Sequence, residues 1–220
     1  MGFLARKKKT PNQALQQTGH ANDGFAWRHA ATRVSRLLSW LFGLGGCLKV
    51  IAPSEDAVKV LRTLSHTGFA YAPSKAVCEA AGWGLVDDEF DLGYIRYAMR
   101  LETDSDQRRL LSVRIAEAGK PPWAFVPLFY FEEYEKSREP FDCAFHTLTE
   151  HLAGFVGTAS RMGSYSYPHR AGWMYSFAGW VLSDATLVLV QDELDIQFGM
   201  DVTLWVQPTG TMIEAPVQYE

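Results

Sequence analysis

From residue 172 to residue 206 the chain reads GWMYSFAGWVLSDATLVLVQDELDIQFGMDVTLWV, its most apolar and aromatic stretch. A run like this has to be buried, and its periodicity says how. Trp173, Tyr175 and Phe177 fall on one side of an alternating strand. Residues 186–190 are apolar on both sides, which suits a central strand. Val202, Leu204 and Val206 alternate with Thr203 and Trp205. The pattern predicts three strands, with Asp192 to Asp195 read as a hairpin turn between two of them.

The same period of two appears earlier. In 94–102, Ile95, Tyr97, Met99 and Leu101 alternate with Tyr94, Arg96, Ala98 and Arg100; in 109–117, Leu111, Val113 and Ile115 alternate with Ser112 and Arg114. These read as an antiparallel hairpin. Residues 121–131 are strongly apolar, but Pro127 lacks a ladder donor, so the segment is placed at a sheet edge or a bulge. LKVIA at 48–52 reads as a first short strand. Ser54, with Glu55 and Asp56 after it, marks a helix start, and Gly68 a stop. A second short helix is read over 74–81. Residues 84–93 read as a solvated acidic loop. Phe141, Ala144, Phe145, Leu148 and Leu152 make one stripe of a helix over 140–153. Residues 157–172 read as a long glycine- and serine-rich connection. The expected fold class is α+β: a mostly antiparallel sheet of about five or six strands, with helices packed on one face in two layers. Residues 47–220 are read as a single domain.

Residues 1–46 differ. Residues 1–50 carry a net +7, and residues 51–220 a net −11. The polar run after Arg6 has no apolar periodicity and reads as disordered. The segment PNQALQQTGHANDGFAWRHAATRVSRLLSWLFG, residues 11–43, resembles a recurrent repeat-derived segment found at the edges of unrelated bacterial hypothetical proteins. That resemblance implies a spurious extension and a native start near Leu48. A rival reading takes Leu44-Gly45-Gly46-Cys47 as a lipobox that would anchor a lipoprotein through Cys47. Otherwise a cytoplasmic protein is expected, since Cys47, Cys78 and Cys143 are widely spaced and odd in number. No apolar run reaches the length of a membrane-spanning helix.

Few residues suggest chemistry. On the helix at 140–153, Cys143, His146 and Glu150 fall opposite the apolar stripe, Cys143 one turn from His146 and His146 four residues from Glu150. A thiolate–imidazolium pair oriented by a carboxylate is one route to nucleophilic catalysis. The bland reading is a solvated helix face. Asp192, Glu193, Asp195 and Asp201 lie near strand ends, where two carboxylates could face each other as glycoside chemistry requires. Residues Asp87, Asp88, Glu89 and Asp91 lack the ligand spacing of a calcium loop. Tyr165, Tyr167, His169 and Arg170 sit in the long connection, either as binding groups or packed on the sheet edge. No phosphate-binding, dinucleotide or nucleophile-elbow motif is present. No cofactor and no metal are expected. The helix pair near residue 75 offers only Lys75 as a cation, and an acidic globule is a poor nucleic-acid partner.

In general character the globular part is similar to bacterial immunity-type proteins, although no motif carries that likeness. It implies a non-enzymatic module that binds a basic protein partner through Asp192, Glu193, Asp195 and Asp201 with Tyr165 and Tyr167. The alternative is a hydrolase using Cys143, His146 and Glu150, or a carboxylate pair.

Overall fold

The computed structural model describes residues 50–101, 108–116, 121–131, 137–167, 172–195 and 199–210. Among these residues eight strands form one antiparallel sheet, accompanied by three α-helices. The α+β class is as expected. The strand count is higher, and the reason is physical. The two unanticipated strands, β1 (Gly84–Glu89) and β5 (Arg161–Tyr165), are the two edges of the sheet. Neither has to bury a whole face, so neither shows a dry alternation. The acidic segment 84–93 is thus β1 followed by a short 3-10 turn, Phe90–Leu92, and the long connection after residue 157 contains β5.

The remaining strands are β2 (Tyr94–Arg100), β3 (Arg108–Arg114), β4 (Trp123–Phe131), β6 (Tyr175–Val181), β7 (Thr186–Asp195) and β8 (Gly199–Gln207). Their spatial order is β1-β2-β3-β4-β8-β7-β6-β5. Two four-stranded meanders therefore meet at the β4–β8 pair, and a helix leads into each. Contrary to the edge placement, β4 is central. Its ladder to β3 ends at the Phe125–Ser112 pair, two residues before Pro127. On the other side a register shift between Pro127 and Phe129 interrupts the ladder to β8, which is the bulge expected of a strand carrying proline.

Helix α1 (Glu55–His66) starts where Ser54 Oγ accepts the Ala57 N–H at 3.2 Å. It ends at Gly68, whose φ of +61° only glycine adopts readily. The Ser54 N–H donates to the Leu101 carbonyl at 2.7 Å, pinning this start beside the end of β2. Residues 50–53 show no strand, although Ile51 is buried; Leu48 and Lys49 lie outside the described residues. Helix α2 (Tyr71–Ala80) begins earlier than expected and packs against β1.

Helix α3 (Glu139–Val156) buries the anticipated stripe Phe141, Ala144, Phe145, Leu148 and Leu152. Cross-strand partners share a face, so register identifies the surface it covers. Trp180, Leu187, Leu189, Gln191, Val202 and Leu204 lie on one face. Contacts to α3 come from this face: Trp180 Nε1 donates to the Gly157 carbonyl at 2.8 Å, and Gln191 Nε2 to the Asp142 carboxylate at 2.9 Å. The opposite face carries an aromatic row. Trp123 packs against Tyr94, Phe125 and Trp205, and the Arg114 guanidinium lies 5.7 Å from the Trp123 ring centre. Among the described residues no helix is long and apolar enough to cross a membrane.

Candidate functional site

Five of the residues singled out in the sequence do come together, and they come together inside the protein. Tyr165 ends β5 and Tyr175 begins β6, directly opposite it in register. Their rings and that of Tyr167 pack on one another at 5.4–5.6 Å between centres. Tyr167 Oη donates to Asp192 Oδ1 at 2.6 Å, and Tyr175 Oη to Glu193 Oε2 at 2.8 Å. Tyr165 Oη donates to the Gln191 carbonyl at 2.5 Å. The β7–β8 register shifts between Asp192 and Asp195. A bulge of this kind re-aims side chains, and it explains how consecutive Asp192 and Glu193 both reach the same tyrosine cluster. Burial, and then the charge of Asp192, push the Tyr165 phenol well above its usual range.

These acids are not the exposed rim that the sequence suggested. Asp192, Glu193 and Asp201 are only 4%, 8% and 3% exposed. A buried carboxylate needs donors, and the tyrosine hydroxyls supply them. Asp192 and Asp201 are direct cross-strand partners, so the anticipated approach of two carboxylates occurs. Both are buried, whereas glycoside chemistry needs a pair that faces a cleft. Residues 192–195 are not a turn: β7 runs on to Asp195, paired with Gly199. The tyrosines pack on the sheet, one of the two anticipated alternatives. His169 and Arg170 lie outside the described residues, as does Cys47.

The helical triad is placed differently. Cys143, His146 and Glu150 are all exposed on α3, on the side away from the sheet. Cys143 Sγ has Thr147 Oγ1 4.0 Å away, and His146 lies edge-on to Phe145. Among the described residues no hydrogen bond joins Cys143 to His146 or Glu150. The helix's other histidine, His151, is structural: its Nε2 is 2.9 Å from the Pro53 carbonyl, tying α3 to the lead into α1. Among the described residues no group of three His, Cys, Asp or Glu side chains is arranged to hold a metal.

The site that sequence reading missed is the β1 edge. Leu85, Val86, Phe90 and Leu92 are 44%, 39%, 51% and 56% exposed, four large apolar side chains within eight consecutive residues. Phe155, Met162, Met174 and Val181 are exposed too, but Leu85, Val86, Phe90 and Leu92 fall in one short segment, and such a grouping marks a surface that gains from being covered. Val86 sits at a register shift between Leu85 and Asp87. The Phe90 ring is held on one side by Tyr71, 4.5 Å between centres. The acids between them are anchored. Arg96 reaches Asp87 at 3.2 Å and Glu89 at 3.0 Å; Lys75 reaches Asp88 at 3.0 Å, and Tyr71 Oη donates to Asp88 at 2.6 Å. Hydrogen bonds from Tyr71 and Lys75 hold the Asp88 carboxyl below its usual range. The signal was present in the sequence as Leu85-Val86 and Phe90-x-Leu92 flanking the acids, but the acids dominated the reading.

Comparison with protein-family models, with characterised proteins and with solved structures yields no match.

Proposed function

We propose that this chain is a non-enzymatic protein-binding module, similar in general character to bacterial immunity-type proteins. The observation that carries the reading is the apolar group Leu85, Val86, Phe90 and Leu92 left exposed on an edge strand and the 3-10 turn that follows it. Edge strands invite pairing with another chain, and proteins usually blunt them with charge or bulges. Strand β1 has both devices, yet Leu85 and Val86 on it stay exposed. Rigid apolar anchors ringed by polar groups are the anatomy of an interface. The exposed thiol of Cys143 accords with a reducing, cytoplasmic setting.

The test is site-specific photo-crosslinking in the source cell, with a photoreactive phenylalanine analogue at position 90 and, as a control, at position 149 on α3. One discrete protein captured only at position 90, which then binds the purified chain with loss on Leu92→Ser, is the expected result. Equal capture at both positions, or none at position 90, overturns the reading.

A further inference from the structure

The two edges of the sheet differ in how they are protected. Strand β1 carries acids and a register shift, whereas β5 (RMGSY) has no acid, no proline and a regular register along its pairing with β6. Arg161 to Ser164 are exposed, Met162 at 56%. The direction of the β5 backbone groups follows from β6. The Ser176 N–H donates to Gln191 Oε1 at 2.8 Å, on the β7 side. Ser176 is the register partner of Ser164, and directly opposed residues of an antiparallel pair exchange both hydrogen bonds or neither. Ser164 therefore points its N–H and C=O away from β6, and so does Met162, two residues before it. Among the described residues no element meets these outward groups. We infer that β5 pairs antiparallel with β5 of a second copy of this chain, about a twofold axis at Gly163, so that the two sheets run on into one.

In this register the edge complements itself. Met162 of each copy lies opposite Ser164 of the other, and each such pair exchanges two backbone hydrogen bonds, so every outward group of these residues is met. Arg161 lies opposite Tyr165, so no charged side chain faces its like across the new ladder. Gly163 lies opposite Gly163 at the axis, in the closer, non-hydrogen-bonded kind of pair. The Phe177 ring occupies the place of its missing side chain, 2.7 Å from where a Cβ would stand, and brings a ring from each copy beside the axis. On the other face the Met162 side chains of the two copies become diagonal neighbours, within reach of a long side chain, and an exposed apolar group is covered. So short an edge buries little area, which makes the dimer weak and reversible. The surface is separate from β1 and leaves the binding surface proposed there open.

The experiment is sedimentation equilibrium of the full chain over a wide range of concentration, with amide exchange at Met162 and Ser164 followed by NMR at the two extremes. The expected result is a reversible monomer–dimer equilibrium in which both amides exchange more slowly as concentration rises. Ser164→Pro keeps the ladder to β6, because the N–H it removes points outward, and should weaken association about tenfold or more by deleting one hydrogen bond from each copy. Met162→Lys sets like charges diagonally across the axis and should weaken association several-fold. Leu92→Ser at the opposite edge should leave it unchanged. Each variant is first checked for an unaltered thermal midpoint, and if Ser164→Pro fails that check, Met162→Lys decides. A chain that stays monomeric throughout overturns the inference, as does a dimer that forms equally well in these two β5 variants. A dimer lost on Leu92→Ser also overturns it and moves the contact to β1.

Discussion

Two short acidic runs in this chain look alike on paper and live in opposite environments. Asp87, Asp88 and Glu89 sit on β1 at the rim, held by Lys75, Tyr71 and Arg96. Asp192 and Glu193 sit on β7, buried, and accept hydrogen bonds from Tyr167 and Tyr175. Local sequence does not separate them. Strand position does: β1 is an edge, whereas β7 has β6 and β8 on either side. At the edge, the acids are held by ion pairs that are partly open to solvent. In the interior the acids are tied to phenol donors and serve packing. The comparison puts the interior acids in the packing of the fold, and the proposed binding surface at the rim.

That division has consequences of graded size. Replacing Tyr175 by Ala removes a fully buried ring and one donor to Glu193, and should cost about 3–5 kcal/mol in urea unfolding, as for other large-to-small core changes. A loss near zero would mean the interior cluster is not packed as described. Alkaline pH should act on the same region. Because the Tyr165 phenol is raised in the folded state, it stays protonated while its unfolded form ionises. Its contribution is complete below the unfolded value, near pH 10, and declines as pH rises above that, at up to about 1.4 kcal/mol per pH unit. Unfolding followed from pH 8 to 11 checks this, and a Tyr165→Phe variant should show a shallower decline. Tyr167→Phe keeps the ring but deletes the donor to Asp192, with an expected loss of about 1–3 kcal/mol.

At the rim the effects shrink. Asp88→Asn weakens an ion pair open to solvent and should change stability by less than about 1 kcal/mol. Its carboxyl is held below the usual range, so its small contribution is present above about pH 4 and fades on further acidification. If Asp88→Asn cost as much as Tyr167→Phe, the contrast between rim and interior would fail. Cys143→Ser should lie within about 0.5 kcal/mol of the parent and leave partner binding unchanged, since the thiol is exposed. Loss of an enzymatic activity in that variant would instead revive the hydrolase reading.

Much of the sheet was legible because burial writes itself into alternation. Tyr97 and Leu111 are placed on the dry side of their strands by period two and are found as cross-strand partners. The α3 stripe was equally clear, because a helix on a sheet must be apolar along one line. The edges were not legible. GLVDDE and RMGSY are mostly exposed strands, so they lack the wet–dry pattern by which strands are recognised. The central position of β4 was hidden by Pro127, whose missing donor falls beyond the β3 ladder. The candidate site was obscured for a related reason. Acids near strand ends were read as solvent-facing, and the pairing that buries Asp192 beside Tyr167 joins residues 25 apart in sequence, through contacts that no local pattern encodes.

The central claim is that recognition occurs at the β1 edge. Hydrogen–deuterium exchange of the full chain, with and without a saturating amount of the protein captured through position 90, tests it most directly. The account predicts slowed exchange concentrated in residues 84–92, with 161–165 at the opposite edge and 139–156 in α3 unaffected. Protection at 161–165 or 139–156, with none at 84–92, would contradict it.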